Sequence, residues 1–235
     1  MKFTQDASPA RHPSPPLGIL AIAFAALFIA GLIPVTSFSG LHFPGPWQPA
    51  ATIVHYFQAR PGEVLICALL QFGSAIPLGI LTASAASRFQ FLGVRAAGPW
   101  IALFGGLMTA FNIVFSASIL WVMAYPGIAQ DPAVLRALYY VSFILGGPGF
   151  SVPFGLLIAG ICVSAAFTRL LPRWLLVAGF AIAVAGELSW LYMLLPGLLF
   201  LIPLTRFPGF LWLIAAGFLL PTSARKATTF TAARS

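Results

Sequence analysis

Charge starvation constrains this chain more than any motif: 7% of its 235 residues are Asp, Glu, Lys or Arg, against 60% apolar residues. A soluble domain carries about 25% charged residues, so the deficit selects hydrocarbon over water as the main surrounding solvent. Within a bilayer each backbone polar group must be satisfied internally, which leaves helices and closed barrels as spanning structures. A hydrocarbon layer about 30 Å thick requires about 20 helical residues at about 1.5 Å each. Stretches of that kind run from Leu17 to Phe38, Val64 to Ala86, Gly98 to Tyr125, Ala137 to Thr168, Trp174 to Leu195 and Gly197 to Leu220. Barrel strands alternate apolar and polar residues, whereas Leu17-Gly-Ile-Leu-Ala-Ile-Ala-Phe24 is apolar on every side. The expected fold is therefore all-α, a polytopic transmembrane bundle of about six spans.

Residues 17–221 form the expected membrane domain, preceded by a disordered tail over 1–16 and followed by a basic tail over 222–235. Pro9, Pro13, Pro15 and Pro16 among Ser and Ala deny the first segment a core. The first apolar run exceeds the ~7–15 residues of a signal core, and Thr36-Ser-Phe-Ser-Gly40 lacks an Ala-x-Ala site, so an uncleaved span is expected.

Threading the spans alternately puts Lys2, Arg11, Arg88, Arg95, Arg169, Arg173, Arg225, Lys226 and Arg234 on one side, and Arg60 and Arg136 on the other. Positive loops stay in the cytoplasm, which predicts an inner-membrane protein with both termini cytoplasmic. The net charge of +8 is then a topology signal, and its scatter over short loops argues against nucleic acid as a partner. Trp100 and Trp174 fall at inner ends, while Trp121, Trp190 and the tyrosines Tyr56, Tyr125, Tyr139, Tyr140 and Tyr192 fall near the outer interface.

The longest connection, Ser39 to Glu63, holds His42 and His55. Pro49 opens a short helix and Pro61 closes it, placing Ala50, Ile53 and Phe57 on one face suited to the membrane interface. Two loop histidines lack the three or four ligands that a metal site needs, so no metal and no cofactor are expected. Cys67 and Cys162 lie toward opposite ends of their spans, beyond the ~7 Å reach of a disulfide, and are expected to be buried and unpaired.

Polar groups inside the spans carry the functional information. Glu187 lies in the fifth span and Arg206 in the sixth, at comparable depth on adjacent antiparallel helices. An uncompensated charge at mid-bilayer costs at least ~2.5–3.5 kcal/mol, so each must find a partner, snorkel or neutralise. Three readings stay open: a buried functional ion pair, a structural pin between two helices, or a break at Pro203 and Pro208 that leaves Arg206 among outer headgroups with Leu198 to Thr205 in the interface. Gly179, Ala183 and Glu187 share a small-residue stripe suited to close helix contact. Glu63, Cys67, Gln71 and Ser74 follow helical spacing in the second span, as do Gly105, Thr109, Asn112 and Ser116 in the third. These groups either orient the bundle through interhelical hydrogen bonds or line a small polar cavity.

The fourth run is too long for one straight span. Asp131-Pro132 supplies an N-cap and a first helical residue, and Gly146-Gly-Pro-Gly-Phe-Ser-Val-Pro153 supplies a kink or a discontinuity. Such a break survives at membrane depth only where protein or a wet cavity satisfies the freed carbonyls. The expected pocket therefore gathers Gln71, Ser74, Asn112, Ser116, Gly147, Ser151, Glu187 and Arg206.

Leu145-Gly-Gly-Pro-Gly-Phe-Ser-Val-Pro153 and Leu204-Thr-Arg-Phe-Pro-Gly-Phe-Leu-Trp-Leu-Ile-Ala-Ala-Gly217, taken with the span arrangement, resemble a family of small bacterial six-span membrane proteins known only as a domain of unknown function. The resemblance spans Leu17 to Pro221 and implies a membrane bundle without catalytic residues to carry over. That family often places an acidic residue before its last span, where this chain has Arg206.

Gly-x-Ser-x-Gly, His-Glu-x-x-His and Walker patterns are absent from the sequence, which disfavours the corresponding enzyme classes. The reading is a multi-pass membrane protein that handles a small solute or ion through an intramembrane polar pocket, with the lipid bilayer as its surroundings. The alternative is an interaction or sensory subunit for a membrane protein partner, in which the same groups only lock helix packing.

Overall fold

A computed structural model describes residues 12–36 and 41–223. The lysines and arginines at 2, 11, 225, 226 and 234 used in the topology argument lie outside them, as does most of each expected tail. Within the described residues, six helical segments have the length and apolar composition of membrane spans. The first is α1 (Leu17–Val35); a short α2 (Ala50–Ala59) leads into α3 (Pro61–Phe91), and α4 (Gly98–Met123) returns. A single turn, α5 (Pro126–Ala129), precedes the paired α6 (Pro132–Gly146) and α7 (Pro148–Thr168). Then come α8 (Arg173–Leu188), two 3-10 turns at Ser189–Met193 and Pro196–Phe200, and α9 (Leu201–Leu219).

Local chemistry explains most of these boundaries. Asp131 Oδ1 accepts from the backbone N–H groups of Ala133 and Val134 at 3.0 and 3.2 Å, so α6 starts on the expected N-cap with Pro132 behind it. At 31 residues α3 is about 46 Å long by helical rise, well beyond a hydrocarbon core of about 30 Å. Its surplus length carries Glu63 in the first turn and Arg88 in the last, each of the sign that complements the helix dipole.

Helix α4 packs between α3 and α7, α1 rests on α3 and α9, and α8 fills the angle between α7 and α9. The α4–α7 crossing relies on glycine. A Cβ at Gly105 would stand 2.5 Å from Pro153 O and Leu157 N, and one at Gly160 would stand 2.6 Å from Gly98 O. Small residues let the two backbones approach where hydrophobic driving force between helices is weak. On α8 the expected stripe is used similarly: Gly179 and Ala183 are buried, and Trp212 Nε1 of α9 donates to Leu175 O at 2.7 Å.

Two apolar cores result. The larger holds Phe24, Phe28, Phe150, Phe154 and Phe210, whose rings meet at centroid distances such as 5.1 Å for Phe24 with Phe210 and 5.4 Å for Phe28 with Phe150. The smaller holds Val35, Ile53, Tyr56, Phe57, Leu135 and Tyr139 at the end of the bundle that carries α2.

That second core corrects two expectations. Helix α2 does not offer Ile53 and Phe57 to lipid; both are fully buried against the bundle, because the near ends of α1, α3 and α6 leave an apolar depression there. Tyr56 and Tyr139 are likewise interior rather than interfacial. Their hydroxyls donate to Val35 O at 3.3 Å and Pro44 O at 2.5 Å, which fastens the α1–α2 connection. Trp100, Trp121, Trp174, Trp190 and Tyr125 remain exposed.

At the opposite end, residues 12–16 lie beside the α3 terminus. His12 N–H donates to Thr222 O at 3.0 Å, the His12 ring meets Ser87 Oγ at 3.1 Å, and Arg88 donates to Ser14 Oγ at 2.8 Å and Pro15 O at 3.2 Å. Arg88 is 2% exposed, where the sequence reading gave it a loop position.

Candidate functional site

The fourth span is discontinuous where its glycines and prolines predict. Helix α6 stops at Gly146, Gly147 takes φ −91° and ψ −103°, and α7 starts at Pro148. Two of the freed carbonyls have traceable partners. Pro153 has no N–H for Gly149 O, and Asn112 Nδ2 of α4 donates to that oxygen at 2.5 Å. Phe150 N–H turns to Gly147 O at 3.1 Å, which releases Gly146 O, and Arg206 Nη2 of α9 donates to it.

Among the described residues Arg206 forms no ion pair, and α9 runs unbroken past Pro203 and Pro208 on either side of it. Its guanidinium carbon stands 4.6 Å from the Phe150 ring centroid and 5.2 Å from that of Phe28, within cation–π range. Its Nε is buried without a hydrogen-bond partner. The expected Glu187 partnership fails among the described residues, since the break in the fourth span presents a carbonyl to Arg206 first. Glu187 instead sits on the far side of α7, its Oε1 without a hydrogen-bond partner and 3.2 Å from the position a Gly155 Cβ would take.

Above Arg206 lies a cavity of about 360 Å³, in the gap between the two apolar cores. Of the eight residues expected to share a pocket, Gln71, Ser116, Gly147 and Arg206 line it. Ser74, Asn112, Ser151 and Glu187 do not. Ser74 Oγ donates back to Gln71 O at 2.6 Å, Asn112 is committed to Gly149, and Ser151 is fully buried with its hydroxyl unpartnered. These four residues therefore do not share the cavity wall with the other four.

Several lining residues escaped the sequence reading. Ser142 of α6 exchanges hydrogen bonds with Ser116: its Oγ donates to Ser116 O at 3.2 Å, and Ser116 Oγ donates to Ser142 O at 3.0 Å. A lone serine one turn before the Gly-Gly break was the available signal. Tyr139, Phe28, Phe43, Ile202 and the Pro44-Gly-Pro-Trp47 turn complete the wall, and only the tertiary fold brings these together. Trp47 is 69% exposed, so the mouth lies at the α2 end. From Phe28 beside Arg206 to Val35 near the mouth is seven residues of α1, roughly 10 Å of helix. Below Arg206, the Phe24, Phe154 and Phe210 rings seal the bundle.

Cys67 and Cys162 are free and buried. Cys67 lines the cavity, whereas Cys162 lies in the large core. Among the described residues no three His, Cys, Asp or Glu side chains gather in metal-binding proximity. His42 and His55 are exposed.

The described residues around the cavity offer one cation, hydroxyl and amide groups, and apolar walls. Comparison with protein-family models, curated proteins and solved structures returned no match.

Proposed function

We propose that this protein binds a small solute in the cavity above Arg206, entering from the α2 end. The observation that carries the reading is an arginine held inside the bundle with one of its five N–H donors bonded, at the closed end of a cavity of about 360 Å³. Pockets of about 300–1,000 Å³ with mostly apolar walls and a few convergent polar groups are the usual form of small-molecule sites. Retaining an intramembrane cation costs at least ~2.5–3.5 kcal/mol on insertion scales, which a binding role repays when ligand is present.

Sidedness belongs to the same proposal. Arg88, Arg95, Arg169 and Arg173 gather at the His12 end, against Arg60 and Arg136 at the α2 end. Positive-inside asymmetry makes the His12 end cytoplasmic and turns the cavity outward. The aromatic seal below Arg206 makes this a one-sided binding state, and any passage across the membrane requires those rings to part.

The test is thiol labelling in intact cells. In a Cys67→Ala, Cys162→Ala background, Ser116→Cys is expected to react with a membrane-impermeant methanethiosulfonate reagent added outside, and Ser164→Cys, in the other half of the bundle, is not. An unreactive Ser116→Cys in a folded protein, or labelling only in inverted vesicles, would overturn the reading.

A further inference from the structure

Resting on that solute-binding reading, we infer that the cavity takes a single-chain amphiphilic oxyanion, a carboxylate-headed molecule with an apolar tail of about eight carbons. Charge decides the head. Arg206 is the one Lys, Arg, Asp or Glu among the 24 residues that line the cavity, so no carboxylate in the wall offsets its charge. Its Nη2 caps Gly146 O, and its planar fork leaves further N–H donors for a carboxylate, the geometry at which guanidinium binds most specifically. The rings of Phe28 and Phe150 hold the guanidinium plane and exclude water around it, which strengthens an ionic contact relative to bulk solvent.

The walls decide the tail. Between Arg206 and the mouth, Leu32, Val35, Phe43, Leu120, Phe143 and Ile202 face the space, interrupted on one side by Gln71 and the Ser116–Ser142 pair. A sugar or a bare inorganic anion would leave these apolar surfaces uncovered and its own polar groups unpaired. Size decides the number of chains. At about 30 Å³ per water-sized unit, 360 Å³ holds roughly a dozen heavy atoms, enough for one short chain and too few for a diacyl lipid.

The probe is radiolabelled octanoate, with about ten heavy atoms, in equilibrium dialysis against the full chain in phosphatidylcholine nanodiscs. One saturable site per chain is expected, weakened at least tenfold in Arg206→Gln, while 1-octanol binds wild type and variant alike. Octanol bound as tightly as octanoate by wild type would overturn the oxyanion but leave the pocket reading intact. Acetate or inorganic phosphate competing as well as octanoate would overturn the amphiphile. Phosphatidylglycerol doped into the disc and displacing octanoate mole for mole would overturn the single chain. If Arg206→Gln fails to fold, Leu199→Trp fills the cavity from its rim without touching the cation, and octanoate bound undiminished by that variant would likewise sink the inference. Failure of every probe together with an unreactive Ser116→Cys removes the pocket itself.

Discussion

At the scale of single residues, the site is organised by a released carbonyl. Two prolines and two glycines free backbone oxygens within the bundle, and Arg206 and Asn112 occupy them. Gly147 permits this geometry because a Cβ there would stand 2.7 Å from Phe143 O, a backbone atom that cannot yield alone. Gly147→Ala is therefore expected to cost about 1–3 kcal/mol through overpacking, read as a lowered melting midpoint in detergent, and to weaken octanoate binding through the displaced Gly146. Tyr139→Phe removes the bond to Pro44 O and should cost about 0.5–1.5 kcal/mol, with faster amide exchange in the 43–47 turn at the cavity mouth. Glu187→Gln separates the site as found from the wider pocket that spacing alone implied. It lies outside the cavity, so octanoate binding is expected to stay at the wild-type level. Of the residues that line the cavity, Gln71, Ser116 and Arg206 stand out in the sequence because polar groups are rare in such spans, and Gly147 because it lies in the glycine–proline break. The exclusion of Ser74, Asn112, Ser151 and Glu187 was not legible, because helical spacing fixes relative angle along one helix and not which neighbour that angle meets.

At the scale of elements, close packing replaces hydrophobic drive. Backbones of α4 and α7 meet at Gly105 and Gly160, so Gly105→Val is expected to lose about 1–3 kcal/mol or more, since its new atoms meet Pro153 O and Leu157 N rather than a mobile side chain. Thermal unfolding monitored by circular dichroism would register it; an unchanged midpoint would contradict the crossing. The start of α6 rests on Asp131, whose carboxylate caps two backbone N–H groups. Asp131→Ala should cost about 0.5–2 kcal/mol and fray the first turn of α6, visible as faster amide exchange at Ala133 and Val134. Span existence and this N-cap were readable from hydropathy and the Asp-Pro pair. The inward face of α2 was not, because an apolar stripe of three residues fits a lipid interface and a protein depression equally well, and the depression is made by Val35, Val64 and Tyr139 from three distant segments.

At the scale of the whole molecule, the two ends differ in chemistry. The α2 end opens to the cavity; the other is strapped by residues 12–16 across Arg88. Burial beside Phe91, then the Arg88 charge, holds the His12 imidazole below its ordinary value. A depressed histidine contributes stability that is present above about pH 6.5 and is lost as pH falls toward its lower packed value. Protease access near Ser14 is accordingly expected to rise on acidification below about pH 6.5 and to become pH-independent in His12→Phe.

The sequence by itself determined the solvent, the helical class, the span count and the site of the chain break, because each follows from local composition: the length of an apolar run, the missing proline N–H, the scarcity of charge. Only the tertiary structure decided that Arg206 answers a backbone carbonyl instead of Glu187, that Tyr56 and Tyr139 turn inward, and that a gap remains between two cores. Those outcomes depend on which helix faces lie opposite one another, and that is fixed by close packing summed over the whole bundle rather than by any segment alone.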